Sequence, residues 1–200
     1  MSRTNFPLFL SHLDFAHHFW SKLIQPGNSI IDATCGNGLD SLKLCHLTLS
    51  STQGKVYCFD IQNDAIEASI KHLSTNLDPT IFQRVYFEKR CHSTFPAEIT
   101  KESIHLIVYN LGYLPGGDKT KTTKTELTLQ SIETAKELLL PGGILSITCY
   151  PGHLEGEKEQ NEICDYARTL SPKKWSCSHH TWINRKNSPS VLLIQKTILN

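Results

Sequence analysis

Apolar positions in this chain follow two rhythms in turn, and the alternation predicts its elements. Residues 11–24 place Leu13, Ala16, His17, Trp20 and Leu23/Ile24 at helical spacing, with Ser11 as a cap and Pro26-Gly27 as a stop. A short apolar run, Ser29 to Ala33, then reads as a strand. It is followed by a helix over 40–49, a strand over 55–59 and a helix over 63–76 capped by Asn63, with Ala65, Ile66, Ile70 and Leu73 on one face. Strands are predicted at 84–87 and 105–109, the second nearly all apolar, as a strand buried on both faces should be. A long amphipathic helix over 125–140 meets Pro141-Gly142-Gly143, which reads as a turn into a strand over 144–149. A helix over 157–170 and an antiparallel pair, 175–183 with 190–197, close the chain.

Strands alternating with helices, then a hairpin, predict an α/β fold: a doubly wound, mostly parallel seven-stranded sheet with a C-terminal antiparallel hairpin. There is no internal repeat, no low-complexity tract and no composition break, so residues 1–200 read as one domain. Helix 11–24 is expected to pack on, or cover, the ligand side. The polar segment 116–124 reads as a mobile loop beside the site, because ligands bind at the carboxyl ends of such strands.

The bulk properties exclude more than they assign. With 200 residues and 39% hydrophobic content the chain can build a core, and its net charge of +1 demands neither nucleic acid nor membrane. Seven cysteines, an odd number with no close pair, read as reduced and mostly buried, and their spacing is wrong for zinc. No run reaches the length of a spanning helix, and the Phe- and Leu-rich N-terminus is broken by Asp14, His12, His17 and His18. A cytoplasmic protein with no metal and no membrane partner is expected, as a monomer or homodimer.

The chemistry concentrates in two places. Ser29-Ile-Ile-Asp-Ala-Thr-Cys-Gly-Asn-Gly38 is a buried strand, a glycine loop and a helix start, and Val56-Tyr-Cys-Phe-Asp60 is a second strand ending in an acid. Glycines after a strand often only make a turn, but this whole unit suits an adenosine-containing cofactor, with Asp60 placed for ribose hydroxyls. Ser41 stands where a dinucleotide fingerprint has its third Gly or Ala, and Asp32 and Asp40 suit an ammonium and a sulfonium, so S-adenosyl-L-methionine is favoured over a dinucleotide. Gly36, Asn37, Gly38 and Gln62 complete the expected cofactor contacts, and His92, after the third strand, is placed beside the adenine.

The second place is the end of the fourth strand, Asn110-Leu-Gly-Tyr113. It resembles the N-P-P-Y type motif of methyltransferases acting on amino nitrogens, in which an amide oxygen accepts hydrogens from the target nitrogen and a ring stacks on the substrate. Tyr150 and His153, after the fifth strand, should emerge at the same edge, His153 as a general base. Lys119, Lys121 and Lys124 in the polar loop, and Asn184, Arg185 and Lys186 in the last hairpin, are candidates for RNA backbone contacts.

Taken together, D-A-T-C-G-N-G-L-D, F-D-I-Q, N-L-G-Y-L-P-G-G-D-K, L-L-P-G-G-I-L and Y-P-G-H-x-x-G-x-x-E resemble the bacterial MnmM/YtqB-like family, long labelled rRNA methylases. The resemblance runs from Ala16-His17 to the hairpin I-N-R-K-N-S-P, and departs at Cys35 and at Arg185, where Gln is common. It implies a Rossmann-like class I S-adenosylmethionine-dependent methyltransferase that converts 5-aminomethyl-2-thiouridine to 5-methylaminomethyl-2-thiouridine at the tRNA wobble position, with the anticodon stem-loop as partner. It also implies that Asn37, Asp40, Asp60 and Gln62 hold the cofactor, while Asn110, Tyr113, Tyr150 and His153 line the substrate side. A primary alkylamine is an ammonium near neutral pH and must lose a proton before it attacks, which gives a base a purpose. Competing readings are a methyltransferase on an rRNA base or a small-molecule amine, a non-catalytic cofactor-binding subunit, and a dinucleotide oxidoreductase, the last disfavoured by Ser41 and Asp32.

Overall fold

A computed structural model describes residues 11–112 and 123–198. Its centre is a seven-stranded sheet in the order β3-β2-β1-β4-β5-β7-β6. These strands are β1 (Ile30–Asp32), β2 (Val56–Asp60), β3 (Val85–Lys89), β4 (Ile104–Asn110), β5 (Leu139–Cys149), β6 (Trp175–His180) and β7 (Ser190–Lys196). β1 to β5 pair in parallel, while β7 runs antiparallel to both β5 and β6. This is the expected mostly parallel seven-stranded sheet with a C-terminal antiparallel hairpin.

The helices are α1 (His12–Leu23), α2 (Leu39–Thr48), α3 (Asn63–Asn76), α4 (Pro79–Phe82), α5 (Thr125–Leu138) and α6 (Leu154–Thr169). Side chains along a strand alternate between the faces, and the sequence exploits it. Ile31, Ile107 and Tyr109 join Ile132 and Ala135 of α5 and Ile163 of α6 on one face. Ile30, Leu106 and Val108 join Ala16 and Trp20 of α1 and Leu44 of α2 on the other. A third cluster packs Cys45 of α2 against Ile66 and Leu73 of α3 over Val56 and Cys58. No helix among the described residues is long and apolar enough to cross a membrane.

Most ends shift by a residue or two, β6 stops at His180 where the pair was expected to run to 183, and three larger differences have local causes. α5 stops at Leu138, and β5 begins at Leu139, taking in the Pro-Gly-Gly predicted to be a turn. A register irregularity between Ile104 and Leu106 absorbs that segment, which suits a proline that has no N–H to give the ladder. α6 starts at Leu154, three residues early, because His153 caps it. The short α4 went unpredicted: Asp78 accepts from the Thr80 N–H at 2.8 Å and Pro79 fills the first turn.

α1 is fixed by its cap and by one buried bond to the sheet. Ser11 and Asp14 form a reciprocal capping box at its start. Farther along, the buried Trp20 indole donates to the buried Ser146 hydroxyl of β5 at 2.9 Å. That bond locks the helix in rotation as well as position. Trp20→Phe should lower the free energy of unfolding by about 1–3 kcal/mol, the cost of an unsatisfied buried hydroxyl. Adding Ser146→Ala should recover part of the loss. Urea denaturation of the two single variants and the double variant checks this.

Candidate functional site

The crossovers leave β1 toward β2 on one side and β4 toward β5 on the other, so a crevice opens at the carboxyl ends of β1 and β4. The segments after β1, β2, β4 and β5 converge there. Because β7 is antiparallel and Ser190 pairs with Cys149, the β6–β7 connection, 181–189, returns to the same edge. Leu39, Ile61, Leu154 and Ile183 are all exposed on these segments, an apolar rim suited to flat organic groups.

The glycine loop is held from beneath. Asp32 is fully buried; its carboxylate accepts from the Ser41 hydroxyl at 2.6 Å and from the Thr34 N–H at 3.3 Å. Burial raises its pKa to about 7, and the charges of Asp40 and Asp60 push the same way. Asp32 therefore shapes the loop from below and does not face the open edge, unlike the expected cation contact. Gly36, in the left-handed region at φ 51°, donates its N–H to Asp60 at 3.0 Å and accepts from the Ser69 hydroxyl of α3 at 2.8 Å. Gly38 has φ 78°, and a β-carbon there would come within 2.8 Å of Leu73 and 3.0 Å of the Ser69 backbone. Its glycine thus serves the packing of the loop on α3. Asp60 also accepts from the Gln62 N–H at 2.9 Å, and burial raises its pKa. Asn37 is exposed beside it.

Asn110 closes the crevice from β4. Its backbone N–H donates to the Thr34 hydroxyl at 2.7 Å, and its carboxamide NH2 donates to Asp40 at 2.8 Å. The other Asp40 oxygen lies 2.6 Å from His17 Nε2 of α1. The Asn110 carboxamide oxygen is buried and has no hydrogen-bond partner among the described residues. Tyr150, after β5, meets His12 of α1: its hydroxyl is 3.1 Å from His12 Nε2, and the rings stand edge to face at 5.3 Å. Burial holds the His12 pKa down, against the pull of Asp40 and Asp14, and raises that of Tyr150. The pair is therefore neutral near pH 7, a hydroxyl facing an imidazole.

His92 is buried edge-on to Tyr109, and burial lowers its pKa to about 4, so its imidazole is neutral. Its Nδ1 is buried without a partner among the described residues. A shielded polar atom without a partner among the described residues, His92 Nδ1, and the Asp60 carboxylate at the end of β2 suit the base and the ribose hydroxyls of an adenosine cofactor. The residues present fit S-adenosylmethionine. Among the described residues no group of three or more His, Cys, Asp or Glu is placed to hold a metal.

The remaining predicted residues scatter. His153 is the N-cap of α6: its Nδ1 accepts from the Gly156 N–H at 3.1 Å. In the neutral ring Nε2 then carries the hydrogen, so neither nitrogen offers a lone pair to a substrate proton. The cap displaces the expected base. Asn184 and Lys186 are exposed in the 181–189 connection, and the Arg185 guanidinium lies 4.3 Å over the Trp182 ring. Tyr113, Lys119 and Lys121 lie outside the described residues. Sequence reasoning missed His12 as a partner of Tyr150 and His17 as a partner of Asp40, and overlooked Glu159. That buried carboxylate accepts from Thr123 and Thr128, each at 2.6 Å, and Thr123 in turn accepts from the Gly112 N–H at 2.9 Å. The only sequence clue to the histidines was their density at the start of α1.

Known proteins share the sequence pattern and the fold. Residues 56–196 match the family described as "Putative rRNA methylase". The chain is 34% identical over 188 residues to the chloroplastic tRNA (mnm(5)s(2)U34)-methyltransferase of Arabidopsis thaliana, covering 92% of this chain and 68% of that one. It superposes on a "putative rRNA-methylase" of Clostridium thermocellum with a TM-score of 0.87 at 31% identity, over 94% of this chain and 98% of the other. A "putative methyltransferase" of Streptococcus mutans, solved in complex with SAH, matches with a TM-score of 0.80 at 28% identity, over 94% and 99% of the two chains.

The site's electrostatics and caps each give a testable outcome. Because the Asp32 pKa is raised on folding, its contribution is fully present below the unfolded value near 4 and is lost as pH rises through about 7. Asp32→Asn, which stays neutral, should therefore gain on wild type across that window in denaturant midpoints measured without cofactor. His153→Ala should cost about 0.5–2 kcal/mol of stability, as cap losses do, and leave the shape of the pH–rate profile of methyl transfer unchanged.

Proposed function

The chain belongs to the rRNA methylase family, and on that premise we propose that this S-adenosylmethionine-dependent methyltransferase acts on the tRNA wobble uridine, converting 5-aminomethyl-2-thiouridine to 5-methylaminomethyl-2-thiouridine. The observation that carries the amine reading is Asn110. At the end of β4 it presents a buried carboxamide oxygen, an acceptor with no donor among the described residues, where the fold places its chemistry. An acceptor there takes a hydrogen from the target nitrogen and turns its lone pair toward the methyl. The tRNA reading rests on the Arabidopsis relative, whose name states that substrate.

In this reading Asp60, Gln62 and the glycine loop hold the ribose and the amino acid tail, and His92 meets the adenine. The bound cofactor supplies an electrophilic methyl group on sulfur. The protein's own part is alignment, exclusion of water and proton removal. An alkylammonium must shed a proton before it attacks, and the neutral His12, beside Tyr150, is placed to receive it, directly or through the phenol. The half-buried Arg185–Trp182 stack and the exposed Lys186, both in the 181–189 connection, support contact with an RNA loop, one by stacking and the other through phosphate.

The deciding experiment incubates tRNA from a strain lacking this activity with the protein and S-adenosylmethionine, then identifies nucleosides by mass spectrometry. Gain of 5-methylaminomethyl-2-thiouridine is the expected result, and methyl incorporation into rRNA or free amines alone would reject it. Two variants divide the site. Asp60→Ala should weaken cofactor binding in calorimetry by about 1.5–3 kcal/mol, the scale of charge-assisted hydrogen bonds. Asn110→Ala should leave that affinity near normal and slow transfer by roughly a hundredfold, as misplacement of reactants does.

A further inference from the structure

We propose that His17 and Asp40 form a positioning pair that fixes the carboxamide of Asn110 oxygen-outward, so that α1 is a working part of the transfer site. This rests on the reading of Asn110 as the acceptor for the target amine.

A carboxamide is nearly symmetric in shape and opposite in chemistry at its two ends. With NH2 toward the amine it would oppose donor to donor and spoil the alignment. Nothing in Asn110 itself chooses, and its backbone bond to Thr34 fixes the main chain only. The choice is made by Asp40. An ionised carboxylate accepts and never donates, so the amide must turn its NH2 toward Asp40, and its oxygen is left facing away. The flipped amide would set oxygen against oxygen.

Asp40 needs holding in its turn. It sits in the first turn of α2, where the helix dipole favours negative charge, and its second oxygen is taken by His17 at 2.6 Å. Both oxygens are thereby engaged with protein, His17 on one and Asn110 on the other, in place of the cofactor contact the family resemblance suggested. His17 is fixed by the helix that carries it. Its ring packs 4.7 Å from Trp20, whose indole is bonded to Ser146 of β5. The chain of contacts thus runs from the sheet through Trp20 and His17 to Asp40, and from there to the amide.

The test uses the full chain, tRNA from the same deficient strain, single-turnover methylation and calorimetry of S-adenosylmethionine binding. Asp40→Asn is nearly isosteric but offers both a donor and an acceptor, so it no longer selects one amide orientation. Transfer should slow by about ten- to a hundredfold, the scale of lost alignment, with cofactor Kd changed by less than about threefold. His17→Leu should slow transfer about tenfold, and His17→Gln, which keeps an N–H near Nε2, should recover most of that loss. The double variant Asp40→Asn/Asn110→Ala should be no slower than Asn110→Ala alone, because the pair acts only through the amide. Additive losses in the double variant would overturn the inference. So would a Kd weakened more than about tenfold in Asp40→Asn, which would make Asp40 a cofactor ligand. Should Asn110→Ala be slow while Asp40→Asn matches wild type, the inference alone fails. If Asn110→Ala itself turns over normally, the reading of Asn110 fails and the pair falls with it.

Discussion

β1 is only three residues long, and the rest of the site hangs from it. Ile30, Ile31 and Asp32 are completely buried, with parallel neighbours on both sides and helices over both faces. A strand so placed cannot shift without breaking two ladders and exposing a core cluster on each face. Its carboxyl end is therefore a fixed point. The glycine loop starts from it, Asp32 ties that loop to Ser41 in α2, and Thr34 ties it to the backbone of Asn110 on β4. Rigid elements set the first contacts and short loops carry them, which is how a site reaches working precision.

The antiparallel end of the sheet does a second job. By reversing direction, β7 brings the 181–189 connection back to the carboxyl edge, so that an aromatic and basic surface stands beside the crevice on the strands' own scaffold. α1 approaches the same edge from the opposite side of the loop, with Phe15 and Phe19 packed on His180 of β6. The helix therefore bridges the crevice and the hairpin. Movement of one would be felt by the other, because His12, His17 and both phenylalanines share a single helix.

Much of the fold was legible because doubly buried strands are apolar runs that end abruptly in polar residues. Asp32, Asp60 and Asn110 mark three such ends, and all three fall at the crevice. Boundaries failed where a residue did an unusual local job. Pro141-Gly142-Gly143 looked like a turn, yet a ladder irregularity let it extend β5. A histidine cap hid the first turn of α6, because serine, threonine and aspartate are the caps one looks for. Within the site, identity was readable and direction was not. Asp32 ends β1 just before the glycine loop but lies under that loop, and His153 sits at the predicted place with its ring turned into a helix terminus. Partnerships were the least readable of all. Asp40 meets His17 across 23 residues of sequence and Asn110 across 70, and such pairs leave no periodic trace in the chain.

Three carboxylates, Asp32, Asp40 and Asp60, converge on one loop, and the fold alone gives no reason for that. Burial disfavours ionised Asp32 and Asp60, and the charges of Asp40 and Asp60 add to the cost for Asp32. Structural needs would be served as well by neutral acceptors: Ser41 and Thr34 would bond an asparagine, and the Gly36 and Gln62 N–H groups need only an oxygen. A local conflict of this kind is expected where function, not stability, has set the composition. A ligand with both a sulfonium and an ammonium resolves it, because each positive charge offsets part of the repulsion among the three acids. The same field explains the division of labour. The deepest carboxylate shapes the loop, the one on β2 accepts from the Gly36 and Gln62 N–H groups and is assigned the ribose in the proposed function, and the one shared with α1 bonds the amide proposed to align the target. On the proposed function, cofactor binding and alignment of the target draw on one residue type, separated by depth and by the hydrogen each carboxylate accepts.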